Sequence, residues 1–72
     1  MFGDWLASQI NRKDLVGKTI KAINVAKIDT SGKGYFQIEQ EALKREVNVS
    51  ALIGLNLANV EYEKWVQKQN GS

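Results

Sequence analysis

Seventy-two residues with 43% hydrophobic and 25% charged side chains fit one small folded domain spanning residues 1–72. That composition excludes a disordered tail, and the absence of cysteine and histidine excludes disulfide staples and the common zinc sites. A net charge of +2 is too small to name a partner, but residues 1–34 carry six basic against three acidic side chains and residues 35–72 carry four against five.

The chain opens on Met1-Phe2-Gly3-Asp4-Trp5, without the basic start and apolar stretch of a secretion signal. Asp4 is a good helix N-cap, and Trp5, Leu6 and Ile10 fall on neighbouring helical positions. The pattern predicts a first helix from about Asp4 to Arg12.

From Thr19 to Ile28, β-branched residues fill half the positions and favour an extended strand. Asp29-Thr30-Ser31-Gly32-Lys33-Gly34 gathers turn-forming residues, and Tyr35-Phe36-Gln37-Ile38 reads as a returning strand. Residues 19–40 therefore read as a β-hairpin, with a helix through residues 14–28 as the rival. Residues 40–48 are good helix formers, with Leu43 and Val47 four apart. Asn48 suits a left-handed stop, and Ser50 can cap a C-terminal helix from about Ala51 to Lys68. Its rival is a strand near Leu55 to Tyr62. The fold class expected is α+β: an N-terminal helix, a β-hairpin and two C-terminal helices.

Three local patterns bear on function. The segment QEALKREVNVSALIGLNLAN, from Gln40 to Asn59, resembles a helix-turn-helix motif, with Leu43 and Val47 at first-helix apolar positions and Asn48 in the turn. The resemblance implies a DNA-reading second helix, yet no basic residue lies between Arg45 and Lys64, where bases and phosphates would be met. Lys33-Gly34-Tyr35-Phe36-Gln37-Ile38 looks like a fragment of RRM and cold-shock signatures. On a strand, however, Tyr35 and Phe36 would point to opposite faces. Ser31-Gly32-Lys33-Gly34 lacks the earlier glycine and following Ser or Thr of a phosphate loop.

No histidine or cysteine is available for acid–base or nucleophilic chemistry, and the chain is too short to enclose a substrate pocket beside its core. The sequence therefore predicts a non-enzymatic protein with no cofactor, metal site or small-molecule substrate. No apolar run approaches the roughly 20 residues of a membrane span, so no membrane partner is expected and elimination suggests the cytoplasm. Small size favours association, with a homodimer expected.

Two functions compete. One is a protein-interaction or assembly module centred on Leu52, Leu55, Leu57 and Trp65, whose binding resists salt. The other is a nucleic-acid-binding regulator that places Lys18, Lys21, Lys27, Lys33, Lys44 and Arg45 on phosphates, with salt-sensitive affinity.

Overall fold

The computed structural model describes residues 1–71. It contains four helices in chain order: α1 Phe2–Ala7, α2 Leu15–Val25, α3 Tyr35–Lys44 and α4 Val49–Gly71. Among the described residues there is no strand, so the expected α+β fold and its hairpin over residues 19–40 are overturned.

The segment read as the first strand is helix α2, which is what the rival reading proposed. The reason is energetic. β-branched residues cost at most about 0.7 kcal/mol each in a helix, whereas burying an isoleucine contributes about 1.5–3 kcal/mol. Helical spacing puts Val16, Thr19, Ile20 and Ile23 on one buried face and leaves Lys18, Lys21 and Val25 outside. Strand alternation would have split Ile20 from Ile23. Asp14 starts the helix by accepting the Gly17 N–H at 3.3 Å.

Both α2 and α3 stop in the same way. After α2, Lys27 takes the left-handed conformation (φ 60°), its N–H bonds to Asn24 O, and the Ile28 N–H bonds to Ile23 O at 3.1 Å. After α3, Glu46 (φ 55°) repeats the pattern, with Glu46 N–H on Leu43 O and Val47 N–H on Ala42 O at 3.1 Å. These are Schellman closures without the usual glycine. The left-handed stop falls on Glu46, and Asn48 instead opens α4, its Oδ1 accepting the Ala51 N–H at 2.8 Å. The C-terminal helix expected from Ala51 thus begins two residues earlier, and its rival strand near Leu55 to Tyr62 is absent.

The turn residues 29–34 form an interhelical loop rather than a hairpin tip. Asp29 Oδ1 accepts the Ser31 N–H at 3.0 Å, and Gly32 sits at φ 68°. The loop rests on α1: the Gly3 N–H donates to Lys33 O at 2.8 Å, and Asp4 accepts the Gly32 N–H. At Gly3 a side chain would run into the Thr30 and Lys33 carbonyls. Asp4 is therefore spent on this loop inside a shorter α1, rather than capping a helix reaching Arg12.

Helix α4 is the organising element. At 1.5 Å per residue its 23 residues run about 34 Å, close to the molecule's longest dimension of 39 Å. It packs on all three other helices, most extensively on α2. Leu6, Ile23, Ile38 and Leu55, one from each helix, are among the largest fully buried side chains. No helix among the described residues is long and apolar enough to cross a membrane.

Candidate interaction surface

Between Glu46 and Glu61, the chain from Val47 to Val60 carries no charged residue, and α4 begins inside that stretch. A helix buried on one side normally turns polar residues outward. Here the inner face is Ala51, Leu55 and Ala58, with Tyr62 half-buried beyond them. The outer face is also apolar: Val49, Ile53, Leu57 and Val60 are 68, 52, 47 and 43% exposed. Those four residues recur at steps of four, four and three, so they form a continuous stripe over three turns.

Helix α3 carries a second exposed apolar strip. Phe36 is 74% exposed and Leu43 51%, two turns apart on one side of α3. Glu39 lies between them, and its Oε2 accepts a hydrogen bond from the Tyr35 hydroxyl at 2.7 Å. Asn56 Nδ2 on α4 donates to the same hydroxyl at 3.4 Å. The polar seam Glu39–Tyr35–Asn56 therefore links α3 to α4. Burial, then the bond to Glu39, pushes the Tyr35 hydroxyl above the ordinary tyrosine range.

All six aromatic residues belong to one chain of ring contacts, which sequence reading did not find. Trp65 stacks on Tyr62 (6.1 Å between centroids), Tyr62 meets Trp5 and Phe2 at 5.6 and 5.5 Å, and Phe2 meets Tyr35 at 5.7 Å. Tyr35 then reaches Phe36 at 5.6 Å. The chain runs from the exposed Trp65, through buried Phe2, to the exposed Phe36. Because its members come from α1, α3 and α4, no local spacing could reveal it.

The residues proposed from sequence for a protein interface are divided by the fold. Leu57 and Trp65 are exposed, Leu52 is half-buried against the core, and Leu55 is fully buried. Val49, Ile53, Val60, Phe36 and Leu43 complete the apolar surface and were missed. The signal for the α4 members was present in the uncharged run itself. Phe36 was hidden by assigning residues 35–38 to a strand, and Leu43 by pairing it with Val47 on the apolar face of a helix over residues 40–48.

The six basic residues are not brought to one place. Lys18 and Lys21 stand one turn apart on the outside of α2. Lys18 borders a shallow groove of about 320 Å³ between α2 and the start of α4. Arg45 is committed to structure: its Nη1 donates to Ala26 O at 2.8 Å, closing the end of α2 beside Lys27, and its Nε reaches Glu41. Lys44 closes α3, whereas Lys33 is half-buried in the loop on α1. Gln40 to Asn59, which resembles a helix-turn-helix, does comprise the end of α3, a turn and the first half of α4. The face its second helix shows to solvent is the uncharged stripe.

Comparison with known protein families, curated proteins and solved structures finds no match for this chain. Among the described residues no cluster of acidic side chains could hold a metal ion.

Proposed function

We propose that this chain is a small non-enzymatic interaction module that binds protein through the outer face of α4. The observation that carries the reading is the uncharged stripe Val49–Ile53–Leu57–Val60, with Phe36 and Leu43 also exposed on α3. Single exposed apolar residues are ordinary, but monomers rarely show a contiguous apolar patch beyond a few hundred Å² without a use for it. Depletion of charge at the centre is also the compositional mark of an interface core.

The competing reading is a nucleic-acid-binding regulator. It is favoured by Lys18 and Lys21, whose ammonium groups have no carboxylate partner among the described residues. Such binding would be electrostatic and weaken steeply with salt. Size-exclusion chromatography with duplex and single-stranded oligonucleotides, at low and high salt, tests the choice. The interaction module elutes unchanged by nucleic acid at either salt. A salt-sensitive shift with an oligonucleotide, lost in Lys18→Glu/Lys21→Glu, would establish the regulator and refute the module.

A further inference from the structure

We infer that the occupant of the α4 face is a second copy of this chain, laid antiparallel so that α4 packs on α4 about a two-fold axis. The inference rests on the reading of that face as the protein-binding surface and adds the partner's identity.

The stripe can be laid on its own copy. Ile53 and Val60 lie equally far, in sequence, from a point between Asn56 and Leu57. Reversing one helix about that point sets Ile53 of one copy against Val60 of the other, twice, and brings the two Asn56–Leu57 steps together at the axis. Such an isologous contact needs one patch only, used by both copies. The same reversal sets Val49 opposite Lys64, whose aliphatic stem covers the valine while its ammonium reaches water. The facing α4 segments bring no charge to the contact from Val47 to Val60, because none occurs there.

The area is also sufficient. A standard interface removes about 800 Å² from each partner, and homodimer interfaces are about 65% apolar, which asks for roughly 500 Å² of apolar surface per copy. An open aromatic side chain alone accounts for about 150–250 Å². At their observed exposures, Phe36, Leu43, Val49, Ile53, Leu57 and Val60 together offer on the order of 500 Å². A different protein would have to present an equally long, uncharged strip. This chain already carries one in the required register.

The absence of native cysteine makes the geometry directly testable. Ile53→Cys and Val60→Cys variants are prepared separately, checked for native helicity by circular dichroism, mixed and oxidised. The antiparallel pair forms the mixed 53–60 disulfide in preference to either self-linked product, read by mass spectrometry. Sedimentation of the unmodified protein shows a concentration-dependent dimer, and Leu57→Glu, with helicity retained, weakens it roughly thirtyfold or more. Preferential 53–53 and 60–60 products would overturn the antiparallel arrangement. A protein that stays monomeric at all concentrations would overturn self-pairing, and would leave the α4 face to a different protein. That result is separate from a salt-sensitive oligonucleotide shift, which would instead remove the interaction-module reading.

Discussion

Thr19 and Gly54 share the point where α2 crosses α4. The Thr19 side chain is 99% buried, its Oγ1 has no hydrogen-bond partner, and a Cβ added to Gly54 would overlap that oxygen. Glycine in the second turn of a 23-residue helix is locally unfavourable, by about 1 kcal/mol relative to alanine. The close approach outweighs that cost because α2 and α4 form the most extensive helix pair in the molecule.

Gly54→Ala is therefore expected to destabilise the fold by about 1–3 kcal/mol, despite improving helix propensity. Thr19→Ala removes an unpaired buried hydroxyl along with its methyl and opens the space. The double variant should recover about 1 kcal/mol of the Gly54→Ala loss. Urea unfolding of the four proteins in this cycle checks both values. Simple additivity would show that the two side chains do not compete for the crossing.

The two left-handed stops give the opposite prediction. Lys27 and Glu46 occupy positive φ at positions where glycine has no steric penalty. Neither N–H contact depends on the side chain, since both closures are made by backbone groups. Lys27→Gly and Glu46→Gly should each stabilise the protein by about 0.5–1 kcal/mol. Thermal unfolding at fixed pH and protein concentration measures the gain, and a loss at either site would show its side chain holding more than the turn.

These same two stops explain much of what the sequence concealed. Glycine and asparagine are the usual marks of a helix end, yet the chain places lysine and glutamate in the left-handed positions, so neither boundary is marked in the sequence. In α2 the β-branched content of Thr19–Ile28 argued for a strand, while the spacing of Val16, Ile20 and Ile23 argued for a helix; burial against α4 decided between them. Turn chemistry in residues 29–34 was legible, but not what it connects, because the contacts that place the loop come from Gly3 and Asp4, far away in the chain. The α4 helix was visible in its three- and four-residue recurrences. Which of its leucines face solvent was not, because both of its faces are apolar and only the fold chooses between Leu55 and Leu57.

A charge cluster ties the α1–α2 connection to α4. Arg12 donates through Nη1 to Glu61 Oε1 at 2.9 Å and through Nη2 to Glu61 Oε2 at 3.0 Å, and it also bonds Asp14. Glu61 first, then Asp14, holds the guanidinium above its ordinary range. Arg12, followed by the Gly17 amide, holds the Asp14 carboxyl below the ordinary carboxylate range. A carboxylate depressed in the folded state contributes stability above its unfolded value near 3.9, and that contribution disappears as pH falls through the folded value. Asp14→Asn keeps a competent helix cap but cannot respond to acid. Its stability should fall less steeply than the unmodified protein's as pH drops below about 4, measured by urea midpoints across the acid range. Equal slopes would place the acid sensitivity elsewhere.

The alkaline limb belongs to Tyr35. Its hydroxyl is raised above the ordinary tyrosine value of 10.0 by burial and by the Glu39 carboxylate, with Asn56 pulling weakly the other way. A group whose folded value is raised supports the fold fully below its unfolded value and ceases to do so as pH climbs through the folded one. Stability should therefore decline above about pH 10, together with a late component of tyrosinate absorbance. Tyr35→Phe removes that component and its alkaline loss. It also leaves Glu39 and Asn56 without their shared partner, a cost of about 1 kcal/mol at neutral pH. If the late absorbance persisted in Tyr35→Phe, Tyr35 would not be its source.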